Sequence, residues 1–390
     1  MGVRMTRWGS EAYRLLVAPS EAIEVECIDT LWGLTALRPQ WDELLRASAA
    51  NGPFLTWEWL HAWWTHLHGR AVLNVLVVRE GRTLIAIAPL MLARGAMPWF
   101  SRLAFLGTGH AGSDYLDLIV RVGREDAALR ALAAFLQTHQ MAMRLDHLRE
   151  ASLGARLAER LASDGWATTA RPAGLCPVIA LAGHTWDSYL ATLGSAHRAN
   201  VRRRLRAIGQ QFEMRFEPVT SESGRRDALE ALGRFHERRF GADGGSTAFL
   251  TPALRAFQED ATRLALAGGW LRMYVLWLND APAAVMYGFL HHRQFYFYQH
   301  GFDARFSRSS AGLVVMALTI RAALEEGAQT FDLLWGTEPY KSLWTRETHT
   351  LAQIDLFQPD VTGRMHQRAV ETRRRLGGLA RRVRGSARAT

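Results

Sequence analysis

Disulfide chemistry is the first thing this chain lacks the means for. Its two cysteines, Cys27 and Cys176, are too few and too widely separated for a framework, which places it in a reducing cytoplasm. No Cys/His set occurs at zinc-ligand spacing, so no metal is expected. Long hydrophobic runs are also missing: LIAIAPLMLA from Leu84 and GLVVMALTI from Gly312 reach about half of the ~20 residues a membrane span requires. The N-terminal stretch lacks the apolar core of a signal peptide. Acidic residues nearly vanish from the C-terminus, where residues 364–390 hold nine arginines and one glutamate. That stretch supplies eight of the ten net positive charges, so the body is nearly neutral and its charge does not mark a nucleic-acid enzyme. The tail, 359–390, reads as a frayed helix running into disorder, either solvated with no dedicated partner or in contact with anionic lipid, RNA or an acidic partner.

What is present is an ordinary globular composition, 48% hydrophobic and 22% charged, in a chain of 390 residues that exceeds one core. One order of elements occurs twice. In the second half LRMYVLWL, AAVMYGFLH and QFYFYQHGF read as three strands, followed by a helix over 312–326, a strand over 329–335, a helical turn near 339–345 and the strand LAQIDLFQ. In the first half VLNVLVVR, TLIAIAPLML, WFSRLAFLG and DYLDLIV read as strands. There follow the helix EDAALRALAAFLQTHQ, the strand MRLDHL, the helix ARLAERLASDGW and the strand CPVIAL. The expected organisation is an N-terminal extension over 1–49, partly disordered, a first unit over 50–183, a second over 184–358, and the basic tail.

Chemistry concentrates between Tyr296 and Trp344. The loop from Gly301 to Gly312 carries Arg305, Arg308, Ser309 and Ser310 directly before Ala311, Gly312 and Leu313, where an apolar helix begins. Free N–H groups, the positive end of the helix dipole and two guanidiniums together suit a pyrophosphate. The matching position of the first half reads VGREDAAL, with acids where a phosphate would sit, so cofactor binding is assigned to the second unit. Past the strand TFDLLW, Glu338, Tyr340 and Lys341 crowd into a turn punctuated by Pro339. Asp332, flanked by Phe331 and Leu333, needs a partner if buried, with Lys341 or an arginine as candidates.

These residues carry a family resemblance. FYFYQHGFD from Phe295, SAG from Ser310 and FDLLWGTEPYK from Phe331 resemble the CelD-like, cellulose-biosynthesis-associated acetyltransferases of the GNAT superfamily, relatives of the FemAB transferases. Weaker likeness extends through FLTWEWLHAWW, SDYLDL, RANVRRRLR and FHERRF. Ala311, Trp335 and Thr337 depart from the family's proline, arginine and acid, which puts its usual ligand in doubt. The resemblance implies an α/β fold of two tandem GNAT-like lobes, each a mixed, mostly antiparallel sheet flanked by helices, the first lobe degenerate. It implies N-acyl transfer from acyl-CoA, with acetyl-CoA foremost, to an amine of a small-molecule, sugar or lipid-linked acceptor in polysaccharide or related biosynthesis. The alternatives are a FemAB-like transferase using aminoacyl-tRNA and a non-catalytic binding protein.

Acyl transfer to an amine needs a base, an oxyanion site and an acid for the departing thiolate. Glu338 is the candidate base, or else a surface carboxylate paired with Lys341. Tyr340 stands near where GNAT relatives place the tyrosine that protonates the thiolate. His236, in FHERRF, is a second candidate base or a packed histidine, and Arg239 beside it a candidate anion contact. Arg198, Arg202 and Arg206 share one helix face with no acid in the stretch, leaving either a solvated face or a site for an anionic substrate, cofactor phosphate or tRNA. Asp114 and Asp117 should face opposite sides of a strand, which disfavours glycosidase chemistry. Trp57, Trp59, Trp63 and Trp64 read as packing between the lobes.

Overall fold

The computed structural model describes residues 13–15, 22–95, 100–109, 111–240 and 249–386. The first half contains β1 (Tyr13–Leu15), β2 (Ile23–Ile28), α1 (Leu31–Ala36), α2 (Arg38–Arg46), α3 (Trp57–Leu67), β3 (Val72–Leu73), β4 (Val75–Glu80), β5 (Thr83–Ala88), β6 (Leu90–Ala93) and β7 (Arg102–Phe105). It continues with β8 (Ile119–Val120), α4 (Glu125–His139), β9 (Met143–Arg149), α5 (Leu153–Ser163) and β10 (Ala167–Ala180). Pro89, which lacks an N–H for a ladder, splits one long apolar run into β5 and β6, and the two pieces join different sheets. SDYLDL is not a strand. Tyr115 adopts a left-handed φ of 59°, and pairing resumes only at β8.

The second half contains α6 (Trp186–Thr192), α7 (Ser195–Gln211), β11 (Met214–Pro218), α8 (Glu222–Phe240), α9 (Pro252–Ala267), β12 (Leu271–Leu278), β13 (Ala281–His291) and β14 (Gln294–Phe302). After it come α10 (Ala311–Glu325), β15 (Thr330–Asp332), β16 (Thr348–Phe357) and α11 (Val361–Ser386). Two-residue turns with left-handed φ at both positions, Asn279–Asp280 and His292–Arg293, join β12 to β13 and β13 to β14. Such turns match the twist of the strands they connect.

A five-stranded sheet runs β1-β2-β4-β5-β8, and an eleven-stranded sheet runs β11-β12-β13-β14-β15-β10-β16-β9-β7-β6-β3. Each half contains one parallel pair bridged by a helix, β7 with β9 across α4 and β14 with β15 across α10. The expected architecture of two GNAT-like lobes in tandem is observed, with one unexpected connection. β10, the last strand of the first half, lies between β15 and β16, while β16, the last strand of the second, lies between β10 and β9. The halves have exchanged their final strands. One sheet therefore passes through both.

Residues 23–46, expected to lie ahead of a boundary at 50, belong to the first sheet, since β2 pairs with β4 and α2 buries Trp41, Leu44 and Leu45. The tail also departs from expectation. α11 is a continuous helix, His366 is buried on it, and Arg374 pairs with the buried Asp355 of β16, which Arg144 of β9 contacts at 2.7 Å. Trp59 packs between the halves, its ring 4.9 Å from Phe257 and 5.2 Å from Tyr298, with its indole N–H on Ser113. Among the described residues no helix is long and apolar enough to cross a membrane.

Candidate functional site

β14 and β15 run parallel for three residues each, Gln294–Tyr296 against Thr330–Asp332, and then part. β14 continues along β13 to Phe302. The chain after β15 turns the other way because Leu334 takes a left-handed φ of 56° and the N–H groups of Leu333 and Gly336 bond to Pro177 and Leu175 of β10. A gap opens between two strands of one sheet, and the N-terminus of α10 stands at its mouth.

Ser310 precedes α10 in a left-handed conformation with no side-chain cap, and its carbonyl takes the N–H groups of Leu313 and Val314, which leaves those of Ala311 and Gly312 at the helix start without an intrahelical acceptor. Beside them lies a cavity of 220 Å³ with apolar walls from Phe302, Leu313, Met316 and Trp344 and polar corners from His300, Ser310 and Tyr340. Gly312 sits against Phe302, where an added Cβ would lie 2.9 Å from the ring. Ala311 is fully buried, and Ser309 and Leu313 flank it at the helix start. Arg308 is exposed, its carbonyl held by Arg204 of α7 at 3.2 Å. Arg305 turns away from the helix start. Its guanidinium donates two bonds to buried Asp303 at 2.8 and 2.9 Å and holds that carboxyl below the usual range.

Asp332 is buried, as its strand implied, but neither Lys341 nor an arginine is its hydrogen-bond partner. The Tyr115 hydroxyl donates to it at 2.6 Å from the first half, and the Leu334 N–H at 2.8 Å. Burial pushes this carboxyl up to about 6 against both bonds. The turn at Leu334 points two carbonyls the other way, and Lys341, itself buried, donates to Leu334 and Trp335 at 3.3 and 2.9 Å and pairs with Glu338 at 3.1 Å. Glu338 thus braces a buried ammonium. Lys341→Met leaves both carbonyls without their donor and is expected to cost about 2 kcal/mol, whereas Glu338→Gln, at a half-exposed carboxylate, should cost under about 1 kcal/mol. Urea unfolding of both variants checks this. A Glu338→Gln enzyme slowed a hundredfold without loss of stability would identify Glu338 as the base.

Tyr340 faces the cavity, its ring 5.7 Å from that of His300. His236 is instead buried behind β14, its Nε2 at 3.0 Å from the carbonyl of His300 and its ring against Phe249, which ties α8 to the strand. The face of α7 is not free of acids in space: Arg202 meets Asp187 of α6 at 3.1 Å, and Arg198 donates to the Ala191 carbonyl. The side chain of Arg239 lies outside the described residues. Sequence reasoning missed His197, which edges the cavity against Trp344 at 4.8 Å, and Tyr115, whose bond to Asp332 spans 217 positions. A pairing at that separation leaves no local signal.

Residues 195–342 match the family model of the acetyltransferase (GNAT) domain. The crystal structure of FemX covers 85% of this chain and 97% of its own, at 10% identity and a TM-score of 0.60. A conserved protein of unknown function from Bacteroides thetaiotaomicron VPI-5482 covers 85% and 98%, at 14% identity and a TM-score of 0.56. The C-terminal domain of a putative lysylphosphatidylglycerol synthetase from Agrobacterium fabrum covers 87% and 96%, at 11% identity and a TM-score of 0.54. At these identities the likeness is one of fold. No curated protein sequence matches the chain. The family match runs from the start of α7 to the Lys341 turn and so contains the parted strands, the α10 N-terminus and most of the cavity lining: it is this stretch, 195–342, that is similar to a GNAT acetyltransferase domain.

Proposed function

We propose that the chain moves an acyl group, acetyl in the simplest case, from acyl-CoA to an amine of a small-molecule, sugar or lipid-linked acceptor in the cytoplasm. The observation that carries this reading is the cavity between the parted strands at the uncapped start of α10. Helix N–H groups and Arg308 suit the pyrophosphate, and the narrow apolar walls suit a pantetheine arm and a short acyl chain. Tyr340 is placed to return a proton to the departing thiolate. Among the described residues the corresponding helix of the first half, α4, does not offer a second site of this kind, because it opens with Glu125 and Asp126, which repel phosphate. Its part is to shape the acceptor side. Polysaccharide biosynthesis of the CelD-like type is the setting that the motif resemblance favours.

A second reading, aminoacyl transfer from tRNA, draws on the fold likeness to FemX and to a synthetase named for lysylphosphatidylglycerol, and on the arginines of α7 and α11. Calorimetry in moderate salt separates the two. Micromolar acetyl-CoA binding with no retained aminoacyl-tRNA is the expected result. Salt-resistant tRNA binding without acetyl-CoA binding would replace the first reading by the second.

A further inference from the structure

The side of the gap away from α10 faces the first half. Phe297 and Phe331 face the core that contains α10, while Tyr298 faces the other core. On that other side the loop over 111–118 bridges both walls, its Ala111 carbonyl taking the Tyr298 hydroxyl of β14 and its Asp114 carboxylate taking the Trp335 N–H at 2.7 Å. Asp114 is almost fully buried and its second oxygen meets Nδ1 of His147 on β9 at 2.6 Å. A carboxylate fixed by a backbone N–H therefore fixes an imidazole in turn. His147 and Tyr115 both hold left-handed φ values of 59°, conformations that cost side chains about 1 kcal/mol or more and persist where surrounding structure imposes them.

With Nδ1 committed to Asp114, Nε2 lies on the opposite edge of a ring whose side chain is 29% exposed. Trp335, 54% exposed, stands beside it with ring centroids 6.3 Å apart. Neither the motif resemblance nor the family match reaches His147, which lies outside residues 195–342.

We propose that His147, oriented by Asp114, is the base that takes the proton from the acceptor amine, and that the acceptor is a primary amine whose carbon frame lies against the Trp335 indole. The inference rests on the acyl-transfer reading above. The nitrogen lone pair forms the C–N bond at the thioester carbonyl and the C–S bond breaks with its electron pair on sulfur. The surplus proton on nitrogen passes to Nε2, and the thiolate takes up one proton to leave as coenzyme A. Burial lowers the His147 imidazole, but the hydrogen bond and charge of Asp114 and the charge of Asp146 on β9 outweigh it and raise it above its ordinary value. Around this dyad, Cys176 of β10 has its thiol pushed up and stays neutral, and further along the sheet Arg149 lies 3.5 Å from Nδ1 of His349 on β16, whose imidazole burial and the Arg149 charge hold below its ordinary value. A raised histidine is protonated at acid pH and accepts no proton there, so kcat/KM should rise with pH through its pKa.

The test compares wild type, His147→Gln and Asp114→Asn with acetyl-CoA and a pool of amino sugars, polyamines and amino acids. His147→Gln is expected to lose on the order of a hundredfold in turnover while acetyl-CoA affinity stays within about twofold. Hydroxylamine, already unprotonated at neutral pH, should remain an acceptor for the variant. In Asp114→Asn the acid limb of the pH profile should move to lower pH, a readout that a merely structural pair would not shift. Unchanged turnover by His147→Gln, or an unmoved acid limb in Asp114→Asn, overturns the base assignment and leaves the acyl-CoA reading standing. A wild type that binds acetyl-CoA but acylates none of the pool overturns the acceptor class, and one that binds no acetyl-CoA overturns the underlying reading.

Discussion

Gly312→Glu should reduce acyl-CoA affinity by on the order of a hundredfold or more while leaving most of the fold's stability in place. Two effects act at this position. A Cβ there would lie 2.9 Å from Phe302, so any side chain must push that ring into the cavity it lines. The new carboxylate also stands among the free N–H groups of α10, where repulsion from a pyrophosphate about 4 Å away amounts to roughly 4 kcal/mol at the effective dielectric of a partly exposed site. Gly312→Gln separates the two terms, since it keeps the bulk and drops the charge. Calorimetric titration with acetyl-CoA should rank wild type above Gly312→Gln and Gly312→Gln above Gly312→Glu. Equal affinity in all three would move the pyrophosphate away from the α10 N-terminus.

Local sequence carried the second half's strands well, and for a physical reason. LRMYVLWL and QFYFYQHGF are rich in aromatic and other large apolar residues and adjoin two-residue turns, and both are strands over those same residues. α10 was legible from its apolar spacing and from Gly327, which takes the left-handed φ of 87° that a helix stop needs. The strand after it is shorter than its composition implies. TFDLLW keeps strand geometry only to Asp332, because Leu334 is forced into a left-handed turn by bonds to β10 that no neighbouring residue announces. The polar partnerships failed in the same way. Lys341 looked like a partner for Asp332 at nine positions' distance, whereas the partner, Tyr115, comes from the other half through a loop whose own turn is left-handed. A histidine in MRLDHL has no spacing signal that marks it as functional. Its role emerges only when Asp114 is brought against β9. Periodicity reports which face of an element is buried, and says nothing of which distant element covers it.

Neither half of the chain, 1–183 or 184–390, is expected to fold alone. In the first, β10 would lose both neighbours, β15 and β16, and β9 would lose β16. The ladder of Ala167–Pro177 against Thr348–Phe357 would vanish with them. At about 1 kcal/mol for each backbone hydrogen bond left unmade, a ladder of this length rivals the roughly 5–15 kcal/mol that stabilises a whole domain. Side chains add to the loss. Asp355 would be separated from Arg144, Asp332 from Tyr115, and Trp59 from Phe257 and Tyr298, each with at least one member buried. Circular dichroism melts of the separate halves should show no cooperative transition, and co-expression should recover a one-to-one complex with a single one. Two independent lobes joined by a linker would behave otherwise, each melting cooperatively by itself and ignoring the other. That outcome would mean the exchanged strands are dispensable. Under the exchange, acetyl-CoA binding, which depends on β14 and β15 parting at the right place, should be absent from 184–390 alone and return with 1–183, because β10 is the strand that draws residues 333–336 away from β14.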